Sequence, residues 1–219
     1  MTPPHAQPRI LFLVRHGRSD FDARDFTDTP RGPQWDPPLD RVGREQADLL
    51  ARRLLVMDPP SAIHCSPLRR TRETIAPYVA ATGAEVRYDD ALVESHVGAW
   101  EGRPFEEIIA KDEQLLHRFR NQDAIWVNAP GAEDLDAFRE RVEIAIERIL
   151  AESPPGNVLV VCHGGVINAY LSPLLGLPQA MFFLPENTSL NSVVVEGHAR
   201  VIRFLNDVRH LTDPDLFVG

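Results

Sequence analysis

Lysine is all but missing from this chain. Lys111 is the single lysine among 219 residues, and apart from histidine every other basic side chain is arginine. Genome base composition is the bland reading of that bias; the planar fork of arginine matters only where position demands it. No basic tract separates from acidic neighbours, and the net charge of −9 argues against nucleic acid as the main partner. Long apolar runs are missing too. None approaches the roughly 18 residues that suggest a membrane span. Cysteine is reduced to Cys65 and Cys162, each closing an apolar run, where a thiol more often serves as a small buried hydrophobe than as a ligand or half a disulfide. Two such thiols suit a reducing compartment. The opening "MTPPHAQPR" has no basic segment followed by an apolar one, so the expected location is cytoplasmic and residues 1–8 read as a flexible tail.

What is present reads as one soluble domain over residues 9–219, with 43% apolar and 25% charged residues. Ile10 to Val14, Ala62 to Cys65 and Val158 to Cys162 are short apolar runs flanked by turn residues, the mark of strands buried on both faces. Helical patterns lie between them. "GREQADLLARRLL" from Gly43 sets Ala47, Leu50, Leu54 and Leu55 on one stripe. "SPLRRTRETIAPYVAATG" opens with Ser66 as N-cap and Pro67 at the first helical position, and Gly83 follows its end. The alternation predicts an α/β fold: a mostly parallel central sheet with helices on both faces. "SVVVEGHARVIRFL" adds an antiparallel edge hairpin around Glu196 to Arg200. Two segments break the rhythm. Asp20 to Pro38 reads as a long functional loop without periodicity, and Pro104 to Trp126 as a helical insertion within about 103–130.

In open α/β sheets ligands bind beyond the carboxyl ends of the strands. The first run ends in Arg15-His16-Gly17, the second in Ser66 with Arg70 close behind, and the third in His163-Gly164-Gly165. Helix starts supply unpaired N–H groups, and glycines let an anion approach the backbone, so Gly17, Gly164 and Ser66 read as substrate-binding positions. Arg15 and Arg70 would clamp a phosphoryl group in bidentate fashion. A neutral imidazole attacks phosphorus through one ring nitrogen when the other donates its hydrogen to a fixed acceptor such as a backbone carbonyl. His16 is placed for that role. An alkoxide leaving group needs a proton, and Glu94 in "ALVESHVGAWEG" is the best donor, with glycine and aromatic neighbours to desolvate its carboxyl; Asp89, Asp90 and Glu101 compete on composition.

Other residues carry blander expectations. His64 reads as a hydrogen-bonded core or edge residue; His5, His117, His198 and His210 as solvated; and His96 as either a pocket or a structural residue. Trp35 is a candidate substrate contact, whereas Trp100 and Trp126 read as packing. No HExxH, HxH or CxxC spacing is present, so no metal or cofactor is expected.

Four segments in order, "LVRHGRS" at 13–19, "SPLRRTRET" at 66–74, "ESHVGAWEG" at 94–102 and "VVCHGG" at 160–165, resemble the histidine phosphatase superfamily, in the branch that includes the cofactor-dependent phosphoglycerate mutases. The resemblance spans about Ile10 to Leu205. It implies a phosphoglycerate mutase-like fold, His16 as the phosphorylated nucleophile, Glu94 as proton donor, and Arg15, Arg70 and His163 as the phosphate pocket. Of the adjacent Arg69 and Arg70, the family spacing from Ser66 and Leu68 selects Arg70. "PLDRVGREQA" and "PGAED" resemble supporting segments of the family, and "NTSLN" its late turn near the pocket. One position departs. Where the family has a phosphate-binding asparagine, this chain has Asp22, expected either to pair with Arg18 or Arg24 or to help choose a substrate with a positive or hydroxyl-rich leaving group.

The expected function is phosphomonoester hydrolysis through a phosphohistidine on a small phosphorylated metabolite, by a histidine acid phosphatase-type enzyme. The alternatives are mutase-type phosphoryl transfer, disfavoured because the "ESxWN" run typical of the mutases does not follow "RHG", and a non-catalytic phosphoester-binding module. No pattern in the sequence bears on oligomeric state.

Overall fold

The computed structural model describes residues 8–104, 107, 108, 110, 115, 117 and 129–217. Residues 1–7 of the predicted tail and most of the predicted insertion, Trp126 included, lie outside these residues; Glu107, Ile108, Leu115 and His117 within the insertion are helical.

Strands β1 (Arg9–Arg15), β2 (Phe26–Thr29), β3 (Gly32–Trp35), β4 (Ala62–Cys65), β5 (Arg87–Tyr88), β6 (Val158–Cys162), β7 (Leu190–Glu196) and β8 (Ala199–Asp207) form two sheets. The main one has the order β5-β4-β6-β1-β7-β8. Its first four strands are parallel, and β7 and β8 join antiparallel as the predicted edge hairpin. Helices α1 (Arg41–Leu55) and α2 (Arg69–Thr82) cover one face and α3 (Leu135–Glu152) and α4 (Gly164–Leu174) the other. Alternation along β1 explains its unbroken apolar run: Leu11 and Leu13 pack with Phe138, Ile146 and Ile167, while Phe12 and Val14 pack with Leu50, Leu54 and Ile75.

Several local expectations are corrected. Helix α1 starts two residues before Gly43, because Asp40 caps it by accepting the Gly43 N–H at 2.7 Å. Ala47, Leu50 and Leu54 are buried but Leu55 is 50% exposed. At 3.6 residues per turn it lies about 80° round from Ala47, at the margin of the stripe. Helix α2 starts at Arg69 with Leu68 as N-cap, not at Ser66 and Pro67. The Ser66 N–H still bonds the Val161 carbonyl of the sheet, and its hydroxyl is used elsewhere. Gly83 closes that helix in the left-handed region, φ 69°, as expected. The long segment from Asp20 to Pro38 is not without regular structure. It contains the β2–β3 hairpin, with Phe26 opposite Trp35, in which Thr, Asp, Gly, Pro and Gln give no apolar alternation to read.

Candidate active site

Register brings the first pieces together. Arg15 at the end of β1 is paired with Cys162 at the end of β6, so the next residues, His16 and His163, leave the sheet side by side. Their ring centroids are 5.2 Å apart and tilted by 59°, close to the spacing of neighbouring strands. His16 N–H is held by the Cys162 carbonyl at 3.1 Å. The adjacent strand β4 delivers Ser66, fully buried, whose Oγ lies 2.8 Å from His163 Nε2. Ser66 therefore bears on the pocket through the His163 ring.

The His16 ring is fixed by its own turn: Nδ1 donates to the Gly17 carbonyl at 2.8 Å, which leaves Nε2 with the lone pair. The Gly17 N–H in turn donates to Thr74 Oγ1 at 2.8 Å. Gly17 has to be small, since a β-carbon there would meet the Gly43 carbonyl oxygen at 2.8 Å. On the far side the Asn187 amide donates to the His16 carbonyl at 2.9 Å, and the Thr188 N–H to the Arg15 carbonyl at 3.0 Å.

Arg15 and Arg70 are the charged members. Arg15 donates to the Pro185 carbonyl, with its Nε buried and unpartnered among the described residues, and Gly164 lies against its side chain. Arg70, 7% exposed, donates from Nη1 to the Trp35 carbonyl at 3.0 Å and lies 3.8 Å from Asp36. The Glu94 carboxylate accepts the Ser95 N–H at Oε1 and the Gly165 N–H at Oε2, both at 2.9 Å. The second of these comes from the start of α4.

Electrostatics ties the groups together. Burial first, and then the charges of Arg70 and Arg15, holds the His16 ring well below the usual imidazole range. Burial, Arg70, His16 and Arg15 do the same to His163. Both rings are therefore neutral at neutral pH. Burial also lowers both arginines, opposed in each case by Glu94, with Glu186 helping at Arg15 and Asp36 and Glu101 at Arg70.

The remaining sequence candidates fall elsewhere. Asp22 is exposed and makes no ion pair among the described residues. Its expected partners are occupied: Arg18 pairs with Asp40 at 2.6 Å, and Arg24 donates to the Phe21 and Ala23 carbonyls. The rival acids are also committed. Asp89 caps a short turn and pairs with Arg148, Asp90 is exposed, and Glu101 accepts the Trp35 and Val97 N–H groups. His96 is structural, donating from Nε2 to the Pro33 carbonyl and accepting the Gly98 N–H at Nδ1. Trp35 meets the site through its carbonyl, while its indole N–H donates to Ala23. His64 is buried beside Ser153, His198 and His117 are exposed, and His5 lies outside the described residues. His210 corrects the expectation of a solvated ring: it is fully buried, 3.0 Å from Thr188 Oγ1.

Two contributors were not singled out as site residues from the sequence, Thr74 and Asn187. Thr74 sits one turn beyond Arg70 and donates to its carbonyl at 2.6 Å, so the i, i+4 spacing was the available signal. Asn187 had only its place in the polar "NTSLN" turn. Among the described residues no three His, Cys, Asp or Glu side chains gather as a metal-ligand set, and no helix is long and apolar enough to cross a membrane.

Known proteins resemble this chain in sequence and in fold. "Phosphoserine phosphatase 1" of Hydrogenobacter thermophilus is 31% identical over 212 residues, covering 92% of this chain and 93% of that protein. "Bifunctional protein Rv2228c" of Mycobacterium tuberculosis is 33% identical over 163 residues, 74% of this chain; the chain spans only 43% of that longer relative. The solved structure of mycobacterial glucosyl-3-phosphoglycerate phosphatase Rv2419c in complex with VO3 superposes with a TM-score of 0.75 at 29% identity, covering 91% of this chain and all of that one. The model of the histidine phosphatase superfamily (branch 1) matches residues 11–208. With that match across the sheet and every element of the pocket, the chain belongs to the histidine phosphatase superfamily, branch 1.

Proposed function

We infer that the protein is a phosphomonoester hydrolase acting by double displacement through His16. The observation that carries this is the Nδ1 bond to the Gly17 carbonyl, which leaves Nε2 of a neutral ring with its lone pair beside His163 and within the electrostatic reach of Arg70 and Arg15. In the first step the Nε2 lone pair forms a bond to phosphorus as the phosphorus–oxygen bond to the leaving group breaks, and Glu94, carrying the proton left on it by the water of the preceding turnover, gives that proton to the departing oxygen. In the second, water attacks the phosphohistidine, Glu94 takes the water's proton, and the phosphorus–nitrogen bond breaks to restore Nε2. Arg15 and Arg70 hold the equatorial oxygens as charge redistributes in the transition state.

The names of the relatives, a phosphoserine phosphatase and a glucosyl-3-phosphoglycerate phosphatase, support a small phosphorylated metabolite as substrate. The buried free thiols Cys65 and Cys162 support a reducing, cytoplasmic setting. The test is His16→Ala. The variant should bind vanadate yet lose turnover of p-nitrophenyl phosphate and the acid-labile phosphoenzyme that the parent traps on rapid quench; hydrolysis at the parent rate refutes the assignment.

A further inference from the structure

Strand β3 lies outside the main sheet and yet touches both halves of the pocket. The Trp35 carbonyl accepts from Arg70, and one residue earlier the buried Gln34 donates from Nε2 to the Glu94 carbonyl at 3.0 Å. That carbonyl has a second donor, Arg141 Nη2 from α3, at 3.3 Å. Arg141 Nη1 also donates to the Ala91 and Val93 carbonyls, each at 2.8 Å. A single guanidinium thus grips the main chain along the run that ends in Glu94.

The grip is itself gripped. Glu133 takes Arg141 in a two-point fork, 2.6 Å at Nε and 2.8 Å at Nη2. It also accepts Arg31 Nε at 3.0 Å, from the turn of the β2–β3 hairpin, and the His96 N–H at 3.2 Å. Burial alone would raise the Glu133 carboxyl, but the bonds and charge of Arg141, the His96 N–H and Arg31 hold it below the ordinary range. Arg31 reaches further, to the Asp90 carbonyl at 3.3 Å, and His96 returns to the hairpin at Pro33. Desolvating three charges is expensive, and a loop needing only its carbonyls satisfied has cheaper donors in water. Here the donors converge on residues 91, 93 and 94.

We propose that Gln34 and Arg141 are positioning residues for the proton donor Glu94, with the Arg31–Glu133–Arg141 cluster fastening the β2–β3 hairpin to that donor so that the two move as one body. The inference rests on the reading of Glu94 as general acid. The side chain of Glu94 has its own anchors at Ser95 and Gly165, whereas its main chain is aimed by Gln34 and Arg141. Releasing the main chain lets the carboxyl drift from the leaving oxygen while the arginines that bind phosphate stay in place. A 1 Å misplacement costs on the order of 10²-fold in rate.

The discriminating readout is leaving-group dependence, which a merely structural loss does not move. p-Nitrophenolate departs with little help from an acid, whereas an alkoxide needs the proton. Gln34→Met removes the amide donor at similar volume, Arg141→Lys keeps charge but loses the fork, and Glu94→Gln is the benchmark. For each, kcat/KM is measured on p-nitrophenyl phosphate and on glycerol 1-phosphate, with the vanadate dissociation constant as a check on the phosphate pocket. Gln34→Met and Arg141→Lys should fall by about 10- to 100-fold on the alkyl ester and by less than about threefold on the aryl ester, with vanadate affinity kept. Equal losses on both esters, or no loss on either, overturn the proposal. If one variant fails to fold, the other decides. A Glu94→Gln variant showing no preference between the esters removes the donor reading, and the inference falls with it; selectivity in Glu94→Gln but not in the other two removes the inference alone.

Discussion

Gly165 leaves the space that the Glu94 carboxylate fills: a β-carbon on Gly165 would stand 2.2 Å from Oε1, while its own N–H donates to Oε2 at 2.9 Å. One position thus both makes room for the acid and binds it. Gly165→Ala should expel the carboxyl without touching Arg15, Arg70 or His16. Turnover of alkyl phosphates is expected to drop ~10²–10⁴-fold, the worth of general acid catalysis, with vanadate affinity changed only slightly. Parent activity in the alanine variant would mean that the acid acts from some other place.

Neutral His16 and His163 have a spectroscopic consequence. Both rings are held well below 6.5, by burial first and by Arg70 and Arg15 after it. In histidine-selective NMR their ring resonances should not titrate as pH falls from 8 through 6.5. A midpoint at the ordinary value for either would break the electrostatic account of the nucleophile.

His210 is lowered to about 4 from 6.5 by burial and by Arg53. Between those values the unfolded chain binds a proton that the native state refuses, so stability rises with pH and is lost on acidification through that window. One such group contributes up to about 1.4 kcal/mol per pH unit. Urea unfolding of His210→Gln from pH 7 to 4 should therefore show a shallower acid decline than the parent, by up to that slope. Parallel declines would show that the ring is not protected.

Gly43 lies where a β-carbon would meet the Arg18 carbonyl oxygen at 2.0 Å, and backbone cannot swing aside as a side chain would. Gly43→Ala should destabilise by roughly 1–3 kcal/mol, the usual cost of overpacking. It should also lower activity, because the strained segment adjoins Gly17. Calorimetry and kcat together check this; a neutral substitution would mean that helix α1 shifts freely against the His16–Gly17 turn.

Asp22 stands exposed and makes no ion pair among the described residues, which leaves substrate choice as its remaining expected part. An exposed charge is worth roughly 0.2–1 kcal/mol. Asp22→Asn should then lower kcat/KM for O-phosphoethanolamine relative to glycerol 1-phosphate by about two- to fivefold at low salt, and less at high salt. An unchanged ratio takes Asp22 out of substrate selection.

The strand ends were legible because β1, β4 and β6 are buried on both faces, and such strands must be written as continuous apolar runs. Arg15, His16, Ser66 and His163 interrupt those runs abruptly, and polar groups at the carboxyl ends of parallel strands have one crevice to share. The β2–β3 hairpin was not legible. Its four-residue strands sit over the pocket and bury Gln34 rather than an apolar row, so no period of two appears. His210 escaped for a related reason: its burial comes from packing of the C-terminal helix against the Thr188 turn, which nothing local announces.

By itself, the sequence determined the α/β alternation, the strand ends and the chemical types gathered there, since short-range periodicity and turn chemistry act between residues close along the chain. Only the tertiary structure decided which nitrogen of His16 is free, that Ser66 turns to His163, and that Gln34 and Arg141 aim the main chain of Glu94. Those choices depend on hydrogen bonds between segments dozens of residues apart, whose geometry is set by strand register and helix packing.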